Sequence, residues 1–168
     1  MINSRSRKLL SKIITNNVAQ RSMSTKFPGE STFGLIKPDG ISHLSEIFDI
    51  IFQEGFYIRQ LRMSKYTNAT AKVFYEEHIG SEYFAAFREY MISGPVIGLR
   101  LGRLDAVKHW RDVIGNYDPE VAKLEAPESI RARFGTNQTV NVVHGADSTD
   151  NAQKEMNLYF GTTSLLSR

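Results

Sequence analysis

Apolar positions along the chain follow two periods, and each change of period marks a new element. Residues 31–36 (STFGLI) form a short β-favouring run closed by the turn signal Pro38-Asp39-Gly40. Leu44, Ile47, Phe48, Ile51 and Phe52 then recur at helical spacing, and Gly55 stops that helix. Over residues 56–66 the apolar Phe56, Ile58, Leu61 and Met63 alternate with polar residues, allowing one slip, which predicts a strand. Residues 68–78 and 82–91 read as two helices broken at Gly80. Ser93-Gly94-Pro95 opens a strand over 96–101, and 105–114 is an amphipathic helix holding Trp110. Residues 115–127 show no periodicity and read as a loop. A helical turn at 129–134, a strand at 139–143 and a helix at 148–160 complete the chain. With the extra helices set aside the order is βαββαβ. That order predicts an α/β (α+β), ferredoxin-like fold: a four-stranded antiparallel sheet with helices on one face.

Composition narrows the class. The 168 residues are 41% hydrophobic and 23% charged, as a soluble globular domain would be. With no cysteine, a disulfide scaffold, a thiolate metal site and cysteine nucleophilic catalysis are excluded. No apolar run approaches the length of a membrane helix. The net charge of +3 is misleading, because it is unevenly spread. Arg5, Arg7, Lys8, Lys12, Arg21 and Lys26 lie in residues 1–29 without a single acid, which leaves the remainder with 15 basic and 18 acidic residues. Global charge therefore gives little support to nucleic-acid binding.

The leader itself reads as an address. Leu9, Leu10, Ile13, Ile14 and Val18 recur at helical spacing among basic residues, serines and asparagines, as in a mitochondrial transit peptide. Residues 1–26 are assigned to it, with a matrix location expected; a basic tail on a cytoplasmic protein is the alternative. The folded domain is expected over 30–162, followed by a short tail at 163–168.

The common nucleotide fingerprints GxxxxGK[ST] and GxGxxG are absent, and so is HExxH. His43, His78 and His109 sit on helices as ordinary surface or packing residues. His144 differs: it ends an apolar run, precedes Gly145 and stands just before a helix start at Ser148. Glycine permits close approach and a helix N-terminus favours anions, so phosphate chemistry is one reading of this histidine. Neutral imidazole is a usable nucleophile near pH 7. From the residues alone, a hydrogen-bonded structural histidine is the other reading.

Four segments decide between them. Ile36-Lys37-Pro38-Asp39-Gly40, Met91-Ile92-Ser93-Gly94-Pro95, Ser129-Ile130-Arg131 and the run from Asn141 to Ser148 (NVVHGADS) together resemble the nucleoside diphosphate kinase family, in order and in spacing. The details look most like its divergent sixth-type branch, whose members are often mitochondrial. The resemblance implies a ping-pong reaction, in which the γ-phosphate of a nucleoside triphosphate passes to a histidine and then to a nucleoside diphosphate. His144 matches that nucleophile and Glu155 the carboxylate that orients it. Lys37 and Asn141 match the groups on the ribose 3′-hydroxyl, with Lys37 also reaching the transferred phosphate as a catalytic residue, and Arg111 and Arg131 match the phosphate-binding pair. Tyr75 matches the tyrosine near the catalytic histidine, and Tyr83 an aromatic that stacks on the base. Mg²⁺ is implied as the nucleotide's companion, with Asp147 acting on it through water.

Two positions depart from the family pattern. Tyr117 stands where a phosphate-binding threonine is usual, and Ala146 where a serine adjoins the histidine. Residues 121–127 also differ from the family loop that helps build hexamers, so an oligomer is implied without support for a hexamer. Two function readings follow. One is an active mitochondrial nucleoside diphosphate kinase using ATP and other nucleoside tri- and diphosphates. The other is a nucleotide-binding scaffold of the same family, weakly active alone or dependent on a protein partner. An RNA-binding module of this fold is set aside, since the mature chain is acidic and lacks an RNP-like aromatic motif.

Overall fold

A computed structural model describes residues 29–76 and 79–161. The basic leader, His78 and the tail at 163–168 lie outside the described residues. Four strands form one sheet in the order β2-β3-β1-β4, with every neighbouring pair antiparallel. They are β1 (Glu30–Ile36), β2 (Tyr57–Lys65), β3 (Pro95–Arg103) and β4 (Val143–Gly145). This is the ferredoxin-like order expected from the sequence. The helices are α1 (Leu44–Gln53, entered through a 3₁₀ turn at Asp39–His43), α2 (Asn68–Phe74), α3 (Phe84–Ile92), α4 (Ala106–Ile114), α5 (Pro119–Glu125), α6 (Ile130–Phe134) and α7 (Thr149–Phe160).

The helices cover both faces, not one. β1 is buried at five consecutive positions from Thr32 to Ile36, so neither of its faces meets water. Ile36, Ile97, Leu99 and Leu101 pack with Ile47, Phe48 and Ile51 of α1 and Trp110 and Ile114 of α4. Phe33, Leu35 and Val96 pack with Ala71 of α2, Phe84 and Met91 of α3 and Ala152, Met156 and Tyr159 of α7. Full burial of an aliphatic side chain stabilises by about 1.5–3 kcal/mol, and the continuous burial of β1 requires a layer on each side.

Three local expectations change. The aperiodic stretch contains α5, begun by Asp118, whose side chain accepts from Glu120 N–H at 3.0 Å, with Pro119 at the first helical position. The Asp-Pro pair was the readable start signal; seven residues are too few to show a period. The last strand is not 139–143 but Val143–Gly145. Asn137 Oδ1 accepts from Thr139 and Val140 N–H, and Thr136 N–H reaches Val140 C=O, so the preceding residues turn instead of extending. The first of the paired helices closes at Phe74. The slip in the 56–66 pattern is a β-bulge between Ile58 and Gln60. Beyond it Leu61 and Met63 are exposed on the edge strand, outside the core.

Candidate active site

β4 carries His144 beside the buried centre of the sheet, paired with Leu35 of β1. Its backbone is fixed from behind by Trp110, whose indole N–H donates to His144 C=O at 3.3 Å. Gly145 makes room for that indole, since a Cβ there would come within 2.6 Å of Trp110 Cδ1. The imidazole is partly open, 26% exposed, and its Nε2 lies 3.1 and 3.0 Å from the two carboxylate oxygens of Glu155 on α7. Eleven residues separate them in sequence, and the Ser148 cap on Asn151 N–H starts the helix that brings Glu155 back. Among the described residues nothing bonds Nδ1. That pattern places Nε2–H on the carboxylate and a lone pair on Nδ1.

Around the imidazole stand Phe33, Phe74 and Tyr75, each with its ring centroid 6.3–6.5 Å away. Tyr75 is buried, and burial first, with the Glu155 charge second, raises its hydroxyl far above the usual phenol range. It stays protonated and neutral beside the histidine.

A cationic wall lines the other side. Arg131, on α6, donates to Gly115 C=O at 2.8 Å and to Val143 C=O at 3.0 Å, while its buried Nε has no partner among the described residues. Burial, with Arg111 beside it, lowers its pKa to about 10. Arg111, on α4, reaches toward Gly145 C=O at 3.5 Å. Among the described residues neither arginine pairs with a carboxylate. Lys37 extends from the end of β1 and donates to Asn141 Oδ1 at 2.6 Å and to Thr139 C=O at 3.3 Å. Its ammonium also lies 5.6 Å from the Phe87 ring and 5.9 Å from that of Tyr90. Burial, then repulsion from Arg131, lowers its pKa to about 7, against a smaller opposing pull from Asp39. Three basic side chains held together, none in a salt bridge with a carboxylate among the described residues, form a site suited to an anion.

Asn141 is tied down by its amide N–H₂, which donates to Tyr117 C=O at 2.7 Å and Gln138 C=O at 2.8 Å. Tyr117 thus enters the site through its main chain, while its ring is turned to solvent. Tyr83 stands exposed at the start of α3, one turn before Phe87. Asp147 is exposed and accepts from Asn151 Nδ2 at 2.7 Å; this bond, then one from Ser148, holds its carboxyl below the usual range. No group of three His, Cys, Asp or Glu able to hold a metal occurs among the described residues. Ala146 is fully buried and packs in the second apolar cluster.

His43 stacks on Phe134 with ring centroids 4.6 Å apart, and His109 meets Glu54 at 2.9 Å, both away from His144. Sequence reasoning missed Asp39, which accepts from Val142 N–H at 3.0 Å and from the Tyr90 hydroxyl. In the sequence it shows only as a turn signal and as a member of the Ile36–Gly40 motif, with no role of its own. Nothing local marks Tyr90, whose partner is 51 residues away.

The chain is similar to known proteins over most of the described residues. A family model described as nucleoside diphosphate kinase matches residues 30–165. The chain is 43% identical over 128 residues to a protein of Arabidopsis thaliana named probable nucleoside diphosphate kinase 5, spanning 75% of this chain and 89% of that one. Among solved structures, the nucleoside diphosphate kinase of Aquifex aeolicus superposes with a TM-score of 0.75 at 40% identity, covering 79% of this chain and 96% of that chain. A halophilic nucleoside diphosphate kinase from Halobacterium salinarum in complex with CDP gives a TM-score of 0.73 at 27% identity, covering 79% and 88%.

Proposed function

Because the chain belongs to the nucleoside diphosphate kinase family, we propose that it carries a phosphoryl group on Nδ1 of His144 between a nucleoside triphosphate and a nucleoside diphosphate. The observation that carries this reading is the double contact of the Glu155 carboxylate with Nε2, at 3.1 and 3.0 Å. With Nε2–H held there, Nδ1 presents its lone pair to phosphorus. The Nδ1–P bond forms as the bond between the γ-phosphorus and its bridging oxygen breaks, and the nucleoside diphosphate leaves with that electron pair. Glu155 balances the charge the ring gains, and a second diphosphate reverses the step. Arg111 and Arg131 hold the phosphate oxygens as planar forks, and Lys37 with Asn141 holds the ribose end.

Tyr83 would take the base on its ring face, which every base possesses. Mg²⁺ would arrive on the nucleotide, neutralising phosphate charge, and the exposed carboxylate of Asp147, outside any cluster of three metal-binding groups among the described residues, fits a water-mediated contact better than direct ligation. Incubation with γ-labelled ATP tests the reading. Wild type should gain an acid-labile, base-stable label and surrender it to an added diphosphate, and His144→Ala should fall to background. Labelling of His144→Ala at the wild-type level would refute it.

Ala146 favours the second reading as well. Its buried methyl supplies no hydroxyl beside the histidine, so binding with slow turnover is the scaffold outcome. Label accepted by His144 but not discharged would select it. The mitochondrial address remains a proposal resting on the acid-free leader. Residues 1–26 fused to a reporter should direct it to the matrix, and a diffuse cytosolic signal would refute the assignment.

A further inference from the structure

Val142, two residues before His144, has φ +73°, a region that a β-branched residue enters only with strain. Val143 N–H closes across it onto Asn141 C=O at 2.7 Å, which makes the rare γ-turn of positive φ. Such strain persists only where the surroundings over-determine it. Here they do so from three directions. Asp39 Oδ2 accepts from Val142 N–H at 3.0 Å. Asp39 Oδ1 accepts from the hydroxyl of Tyr90, on α3. Lys37 N–H donates to Val142 C=O at 2.8 Å. Gly40 completes the cradle, because a Cβ there would come within 2.7 Å of Val142 O.

The turn has Asn141 on one side and Val143-His144 on the other. Asn141 receives the Lys37 ammonium, Val143 C=O receives Arg131, and His144 meets Glu155. A relaxed, extended Val142 would rotate these two groups relative to each other. We propose that Asp39 and Tyr90 are positioning residues for phosphoryl transfer: the carboxylate, itself oriented by the tyrosine, clamps the strained Val142 peptide and so fixes His144 against the Lys37–Asn141 pair. This rests on the reading of His144 as the phosphate carrier. Neither residue touches the transferred group; both act through the backbone.

The test compares Asp39→Ala, Asp39→Asn and Tyr90→Phe with wild type in rapid labelling by ATP. Thermal unfolding and hydrogen exchange at the Val142 amide are read alongside. Asp39→Ala should slow labelling about ten- to a hundredfold. Asp39→Asn should recover most of that loss, since its amide oxygen can accept from Val142 and its NH₂ can donate to the Tyr90 oxygen. Tyr90→Phe should slow labelling about threefold to tenfold, and it decides the matter if Asp39→Ala does not fold. Adding Val142→Gly to Asp39→Ala should raise labelling again, because glycine adopts positive φ freely. The same double variant should unfold at a lower temperature, having lost a buried side chain.

Activity and stability moving in opposite directions is the signature of the clamp, whereas a merely structural Asp39 would move them together. Labelling of Asp39→Ala or Tyr90→Phe at the wild-type rate overturns the proposal, as does Asp39→Asn no better than Asp39→Ala. If wild type takes no label, the phosphate-carrier reading has failed and the amide decides the clamp by itself. It should exchange at least about tenfold faster in Asp39→Ala than in wild type, and equal rates overturn it.

Discussion

Lys37, Arg131 and Asn141 are 6%, 5% and 2% exposed, whereas Tyr83 and Tyr117 at the rim are 54% and 60% exposed. The inner group is held by several backbone carbonyls and by one another, so each side chain has one place to be. Under the proposed function the contrast separates two tasks. Phosphoryl transfer needs charge at a fixed point in a partly dry site, where hydrogen bonds to charged groups are strong. Base recognition by stacking needs only a flat surface, and a mobile, wet ring suffices for every base. Substitutions should therefore be costly inside and mild at the rim.

Arg131→Ala is the strongest way to sharpen that contrast. A bond to a charged phosphate contributes about 1.5–3 kcal/mol, and each 1.36 kcal/mol is tenfold. Nucleotide affinity and labelling rate should therefore fall about ten- to a hundredfold. The unfolding temperature should fall too, because Gly115 and Val143 C=O lose their donor. An effect below threefold would mean that the buried fork does not carry phosphate.

Lys37 gives a pH signature of intermediate size. Its pKa falls from 10.5 to about 7 on folding, so between those values the unfolded chain binds the additional proton. Stability of the unliganded protein should therefore rise as pH increases through that window, and be insensitive to this group below it. Lys37→Met removes that rise, which thermal unfolding at pH 6, 8 and 9.5 would show as a changing difference from wild type. Bound phosphate favours the ammonium, so nucleotide affinity should weaken as pH climbs above 7. A flat difference in stability would show that the amine stays charged.

Tyr83→Ala is the smallest expected effect. Loss of one stacking ring should cost about 1–3 kcal/mol at most, and solvent exposure puts it at the lower end. Equilibrium titration should show similar losses for purine and pyrimidine diphosphates. A loss confined to one base class would break the comparison, because the rim would then be reading base edges.

The inner and outer groups also differ in how far the sequence reveals them. His144 carried a local mark in the glycine and helix start that follow it within four residues, but only the family motifs chose phosphate chemistry over a structural histidine, and Glu155 was reached through the same resemblance. Arg111 and Arg131 carry no local mark that separates them from solvated helix residues. Only the motif order pointed to them, and only the packing shows that Arg131 is buried. Among the elements, α1, β2 and α4 were visible through their apolar period, and β1 as a β-favouring run. α5 was too short to show a period, and β4 was misplaced because an apolar run cannot disclose that Val142 turns.

By itself the sequence determined the order of the four strands, the absence of thiol chemistry, the lack of acids in residues 1–29 and the family motifs, since these depend on residue type and spacing along one dimension. Tertiary structure alone decided that helices cover both faces of the sheet, that Lys37 is buried enough to approach neutrality, and that Asp39 and Tyr90 meet at Val142. Each of those depends on groups that are far apart in the chain and meet only when the core forms. Burial sets the electrostatics, and burial is a property of the packed whole.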